Sequence, residues 1–311
     1  MTTSLHCIDV VIPVYNGAQF IRQALDSVAL QGDILATIIV VNDGSTDATA
    51  DLVTQFIHEY PQLTVELINQ DNAGLAAARN TGIGHAKAPF IAFLDVDDLW
   101  LANKLQLQYQ LFLDSTDPKL GVIYCAYGTI AESGERLSDT LGNIVPKLKG
   151  DIYRQLRWGN FVSGSGSSVL IRRSLFDTIG LFDETLKACE DWDMWLRIAK
   201  QFHFDFIAQE LVLIRLHVHN MQKDIKRMIG AELMVLNKFV KANESNPFLL
   251  WKLRTILLDL QWEASSIPGF EQCHPDLQNQ LTGWRNAIAN AVLKPSQVLA
   301  LQYLQKKSIR R

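Results

Sequence analysis

Between residues 8 and 94, short apolar runs alternate with longer amphipathic stretches. Ile8–Val14 reads as a buried strand, and Ala18–Leu30 as a helix with Phe20, Ile21, Leu25 and Val28 on one face. Thr37–Val41 is a second strand, closed by the turn Asn42-Asp43-Gly44-Ser45. A helix over about 46–59, a strand over Thr64–Asn69, an Ala-rich helix over Ala73–Ala86 and a strand over Phe90–Leu94 follow. Strands alternating with helices predict parallel βαβ units with both sheet faces covered. Such sheets gather ligands beyond the carboxyl ends of their strands.

The pattern is less regular further on. A strand is predicted over about 121–130, then a polar loop reaching Gly150 and a helix over Asp151–Trp158. Ser163–Ser168 forms a Gly/Ser loop entering the apolar run Val169–Ile171. Glu190–Lys200 is amphipathic and helical, and Phe204–His217 is extended. From about Met221 onward only helical patterns carry weight. The expected organisation is therefore an α/β domain over residues 1–220 and a C-terminal helical region over 221–311.

Composition narrows the class. Apolar residues make up 48% and charged residues 20% of 311, an ordinary globular balance. A net charge of −4 gives no electrostatic reason to expect a nucleic-acid partner. Cys7, Cys125, Cys189 and Cys273 are scattered without metal-like spacing, which suits a reducing cytoplasm better than a disulfide framework. Neither a signal peptide nor a run of roughly 18 apolar residues is evident. Lys306, Lys307, Arg310 and Arg311, near Val298, Leu301 and Leu304, allow peripheral contact with a membrane's inner face; a solvated helix end is the plain alternative. The sequence does not set an oligomeric state.

Candidate chemistry falls where the strands end. Asp95, Asp97 and Asp98 lie within four consecutive residues after the apolar run 90–94. Ionising all three is costly, and a hard divalent cation, Mg²⁺ or Mn²⁺, relieves the repulsion with help from substrate phosphates. A surface turn with an Asp cap before Leu99 is the bland alternative. Asp43 either accepts the N–H of a pyrimidine base or simply shapes its turn, and Asp47 is left ambiguous because Ser45 or Thr46 can cap the next helix. Arg79, in a small-residue helix, either reaches a diphosphate or base edge or is a solvated charge. Glu190 and Asp191 open a helix off its deepest apolar face, as dipole partners or as a general base among tryptophans. His217 ends an extended run, approaching a metal or diphosphate or merely packing.

In order along the chain, VVIPVYNG, IIVVNDGSTD, NAGLAAARNTG, IAFLDVDD, GLFDE, EDWDMWLRI and RLHVHN together resemble the family 2 glycosyltransferases of GT-A fold, over about residues 8–220. The resemblance implies a Rossmann-like, mostly parallel sheet flanked by helices, and a nucleotide-diphosphate sugar donor. It also implies a DxD-bound Mn²⁺ or Mg²⁺ and inverting single displacement. By that likeness Pro13, Tyr15 and Asp43 hold the nucleoside with Arg79 nearby, and Asp95 and Asp97 form the DxD pair. Asp97 is the direct metal ligand of that pair and Asp98 assists; His217, from its own place at the end of the extended run, joins Asp97 and Asp95 as a candidate metal ligand. Asp191 is the catalytic base and Glu190 its neighbour. Val96 stands where relatives often carry a small or polar residue, and Gln222 where they often carry Ser.

The expected reaction moves a sugar from a UDP- or dTDP-linked donor to a saccharide, lipid-linked or other hydroxyl acceptor, in polysaccharide, glycolipid or cell-envelope biosynthesis. Three rivals remain. A glycoside hydrolase needs paired carboxylates but no nucleotide pocket. A nucleotidyltransferase shares the sheet but usually carries a basic phosphate loop near strand one, and Val11–Gly17 has no Lys or Arg. A catalytically inactive sugar-nucleotide binding module would not need both acidic motifs.

Overall fold

A computed structural model describes residues 6–137, 144–157, 159–164 and 166–217, together with 227, 228, 231, 232, 234, 235 and 238. The chain divides into two compact units, Met1–Val235 and Leu236–Arg311. The helices expected beyond 221, the departure at Gln222, Cys273 and the basic tail lie largely or wholly outside the described residues.

The strands are β1 Ile8–Val14, β2 Leu35–Asp43, β3 Val65–Gln70, β4 Phe90–Phe93, β5 Leu99–Trp100, β6 Leu120–Ala131, β7 Leu170–Arg172 and β8 His203–Leu216. The α-helices are α1 Ile21–Ala29, α2 Thr49–Glu59, α3 Leu75–His85, α4 Lys104–Asp114, α5 Tyr153–Leu156, α6 Leu175–Ile179 and α7 Glu190–Ala199. Among the described residues the strands form one sheet in the order β3-β2-β1-β4-β7-β6-β8-β5. β3, β2, β1 and β4 run parallel, as the alternating pattern predicts. β7 then reverses direction between β4 and β6, β8 pairs parallel to β6, and β5 pairs antiparallel to β8. No helix among the described residues is long and apolar enough to cross a membrane.

The core follows from the apolar patterning. Every residue of β1 is buried, which suits a central strand covered on both faces. α1 buries Ile21, Ala24, Leu25 and Val28 against one face of the sheet. α3 lies so close to β1 that a Cβ at Gly82 would collide with the side chain of Val11. The small residues of this helix are what permit that approach.

Several elements depart from expectation. α2 starts at Thr49 because Asp47 takes the Thr49 amide at 3.1 Å and the Ala18 amide at 3.0 Å, stapling the ends of β1 and β2 together. Ser45 and Thr46 instead bond Asn16, which sits at φ 50°. The helix expected over 151–158 is a single turn, α5. α4, α6 and the two-residue β5 were not anticipated. α4 hides its pattern by burying the polar Lys104 and Gln108 beside Leu105 and Phe112.

Candidate active site

The parallel register aligns the carboxyl ends of β1, β2 and β4 on one edge of the sheet. Val14 faces Asn42, Asp43 faces Gln70, and Leu94 bonds back to Val11. At this edge Pro13 is buried within β1 while Tyr15 stands 54% exposed just beyond it. Asp43 is buried, and its Oδ1 accepts from Gln70 Nε2 and the Ala73 amide, both at 2.8 Å. Its Oδ2 accepts from the Gly74 amide at 2.8 Å. The carboxylate thus shapes the loop leading into α3, and carboxylate oxygens retain room for a further donor.

Arg79 is neither a surface charge nor open to a ligand as it stands. Its side chain is 1% exposed and forks between Asp95 Oδ1 and Glu190 Oε1, each at 2.6 Å. Burial opposes its charge, but Asp95, Glu190 and Asp191 outweigh that and hold its pKa above the ordinary arginine value. One guanidinium therefore brings the aspartate turn after β4 and the start of α7 together. Asn80, on the next residue of α3, fixes the same approach through the Phe182 carbonyl and the Glu184 carboxylate, both at 2.9 Å. Gly166 covers the guanidinium from above; a Cβ there would lie 2.8 Å from Arg79 Nη2.

The three aspartates take different stations. Asp95 pairs with Arg79, and Asp97 Oδ2 lies 2.8 Å from His217 Nε2. Asp98 is fully enclosed, accepting from Ser167 Oγ at 2.5 Å and the Arg215 amide at 3.2 Å. Burial, then repulsion from Asp97 and Asp95, pushes the Asp98 carboxyl well up. Burial and Asp95 likewise raise Asp97, with His217 countering. Arg215 is buried too, donating to the Asp97 carbonyl at 2.9 Å, the Glu132 carbonyl at 2.9 Å and Gln23 Oε1 at 2.8 Å. It ties the acidic turn to the tip of β6 and to α1.

At α7, Glu190 and Asp191 are more enclosed than the helical pattern implies, because both face polar partners inside the fold. Burial raises the Glu190 carboxyl, Arg79 counters, and Asp191 adds repulsion. Asp191 Oδ1 accepts the Trp192 amide at 2.7 Å and Oδ2 accepts Asn160 Nδ2 at 2.9 Å. Cys189, at φ 57°, turns the chain into the helix.

Sequence reasoning missed Ser167, Arg215 and Asn160. Ser167 also accepts the Asp95 amide at 3.1 Å, so one hydroxyl clasps both ends of the acidic turn. The available signal was the Gly/Ser loop entering an apolar run. It becomes informative only once β7 lies beside β4, pairing Leu170 with Ala92.

The site is acidic. Around the turn and the start of α7 stand Asp95, Asp97, Asp98, Glu190 and Asp191, set against the buried guanidiniums of Arg79 and Arg215. Among the described residues no group of three or more His, Cys, Asp or Glu side chains is arranged to hold a metal ion alone. Asp97 and Asp95 keep about a quarter of their side chains exposed, and Asp97 has His217 beside it. This donor set fits a hard divalent cation that completes its shell with phosphate oxygens and water.

A parallel half, a reversed strand beyond it and an acidic turn at the carboxyl edge between them define a GT-A fold. The profile of Glycosyl transferase family 2 matches residues 9–180, and the chain belongs to that family. An uncharacterised glycosyltransferase of Rickettsia prowazekii is 32% identical over 215 residues, covering 68% of this chain and 64% of that protein. The minor teichoic acid biosynthesis protein GgaA of Bacillus subtilis is 30% identical over 189 residues, covering 58% and 41% of the two chains. The chain thus spans less than two thirds of the length of these relatives. Among solved structures, S. aureus TarS 1–349 in complex with UDP-GlcNAc superposes with a TM-score of 0.62 at 17% identity, covering 91% of this chain and 79% of that one. The mannosyltransferase PcManGT from Pyrobaculum calidifontis, in complex with GDP-Man and Mn²⁺, gives 0.59 at 21% identity, covering 96% and 79%. At those identities the likeness concerns the fold.

Proposed function

We propose that this glycosyltransferase moves a sugar from a nucleoside diphosphate donor to an acceptor hydroxyl with inversion, using Asp191 as general base. The observation that carries this reading is the Arg79 fork, which sets the Asp95 turn and the Glu190–Asp191 helix start on either side of one guanidinium. The aspartate turn suits the donor's diphosphate, and the helix start suits the acceptor. Tyr15, Pro13 and Asp43 line the nucleoside end, with a UDP- or dTDP-sugar as the expected donor.

In the reaction, Asp191 takes the proton of the acceptor hydroxyl as that oxygen bonds to the anomeric carbon. The bond from that carbon to the donor phosphate oxygen breaks on the opposite face, and its electron pair leaves with the nucleoside diphosphate. Five carboxylates against two guanidiniums make a poor seat for an anionic diphosphate alone. Asp97, with Asp95 and His217, would hold Mn²⁺ or Mg²⁺, whose positive charge stabilises the leaving diphosphate. Arg79 keeps Asp95 and Glu190 in place, and Trp192 and Trp195 exclude water behind the base. The relationship to GgaA favours a hydroxyl acceptor on a saccharide or lipid-linked polymer of the cell envelope, handled at the cytoplasmic face of the membrane.

The test is a panel of UDP-, dTDP- and GDP-sugars with Mn²⁺ and saccharide acceptors, read by release of nucleoside diphosphate, beside a second arm of nucleoside triphosphates with sugar 1-phosphates, read by release of pyrophosphate. Nucleoside diphosphate release that EDTA abolishes, and that falls on the order of 10³-fold in Asp191→Asn with donor binding retained, is expected. Pyrophosphate release would instead make the protein a nucleotidyltransferase, and no turnover of any donor would leave it a binding module. Activity undiminished in EDTA would remove the metal, and a fully active Asp191→Asn would remove the base.

A further inference from the structure

Residues 159–162 belong to none of the motifs, yet they deliver a side chain to the proposed base. Asn160 Nδ2 donates to Asp191 Oδ2 at 2.9 Å. The direction of the amide is settled by its other end, because Asn160 Oδ1 accepts the Val162 amide at 3.3 Å. Flipping the amide would set its oxygen against the carboxylate and lose both bonds.

The backbone on either side of Asn160 is anchored to separate elements. Before it, the Gly159 amide bonds the Leu156 carbonyl at 3.3 Å, and that same carbonyl accepts Trp192 Nε1 at 2.7 Å. The loop is thereby tied to α7, the helix that carries the base. After it, Val162 is buried, and Ser163 Oγ donates to the Cys125 carbonyl of β6 at 3.4 Å. Asn160 itself remains exposed, so it stands between the buried base and solvent, where an acceptor must enter.

We infer that Asn160 is a positioning residue for Asp191: its neutral amide fixes the carboxylate at the mouth of the site without adding charge beside it. This inference rests on the proposed base role of Asp191. The Trp192 amide holds Oδ1 from within α7, so rotation of the carboxylate is restrained from the inside by backbone and from the outside by Asn160. An amide suits this position because a carboxylate there would repel Asp191, and an ammonium would pair with it and weaken it as a base.

The experiment uses the full chain and the donor from the panel that the wild type turns over, read as nucleoside diphosphate release. Asn160→Ala is expected to lower kcat about 10-fold with donor KM within twofold, since the donor lies on the other side of Arg79. Asn160→Asp is expected to move the acid limb of the kcat–pH profile upward by about one unit, because a second carboxylate disfavours ionisation of the first. In an Asp191→Asn background, Asn160→Ala is expected to have no further effect, as the two act as one unit. Circular dichroism and thermal melting establish that each variant is folded, and Asn160→Gln tests rescue by the same chemistry. A wild-type kcat in Asn160→Ala, or an unmoved acid limb in Asn160→Asp, would overturn the positioning role while Asp191→Asn remained inactive. An active Asp191→Asn would instead overturn the base reading beneath it.

Discussion

The two halves of the sheet deliver their polar groups by different routes. In the parallel half, β3-β2-β1-β4, the groups sit on the strand ends, and register alone aligns them: Tyr15 follows β1, Asp43 ends β2, and Asp95 follows β4. In the mixed half, β7-β6-β8-β5, Arg215 and His217 come from the end of β8, but Ser167 comes from a loop, and buried polar groups hold that loop in place. Ser167 clasps the acidic turn, Gln108 Nε2 holds the Ser168 carbonyl at 2.8 Å, and Trp100 Nε1 holds the Ser167 carbonyl at 2.8 Å. A strand end is placed by its ladder, whereas a loop must be secured bond by bond. The second half should therefore be more sensitive to single polar substitutions.

The sharpest break in that comparison is at Arg79, which joins the halves. Arg79→Met would leave Glu190 and Asp95 facing each other without a cation. The expected cost is about 3–5 kcal/mol in urea unfolding, with loss of transfer. The loss should shrink as pH falls into the carboxylate range. Without the guanidinium the folded-state pKa of Glu190 rises further above its unfolded value, so stability falls as pH rises through that value. A pH-independent loss would mean the pairing is not what holds the halves together.

Ser167→Ala probes the loop-held half alone. It strips a donor from buried Asp98 and an acceptor from the Asp95 amide, for an expected loss of about 1–3 kcal/mol by denaturant titration. Substituting exposed Tyr15 at the strand-held edge should leave the melting temperature nearly unchanged while weakening donor binding. Equal melting losses in the two variants would erase the distinction between the halves.

A further effect is expected to be a gain. Lys104 is fully buried beneath the same loop, with Nζ 3.0 Å from Gln108 Oε1 and 4.1 Å from the centre of the Trp100 ring. Burial pushes its ammonium down to about 8. The unfolded chain therefore binds more protons between that pH and the ordinary lysine range, and stability should rise with pH across this window. Lys104→Met should flatten that rise and stabilise the fold at pH 7 by about 1–2 kcal/mol, measured by urea unfolding at pH 7 and again within that window. A destabilised Met variant would show that the Gln108 and Trp100 contacts outweigh the burial of charge.

The sequence by itself determined the parallel half, the strand-end positions of Asp43 and of Asp95 to Asp98, and the helix beginning at Glu190. Hydrophobic period and turn residues are local, and a strand end carries its neighbours with it. Only the tertiary structure decided that Arg79 is an internal fork, that His217 meets Asp97, that α4 buries Lys104, and that Ser167, Arg215 and Asn160 support the site. Apart from the burial of Lys104, each of these depends on a partner far along the chain, from the 16 residues separating Arg79 and Asp95 to the 192 separating Gln23 and Arg215. A polar side chain is read as exposed from its own neighbourhood in sequence. It becomes buried and paired only when the fold brings its partner to it.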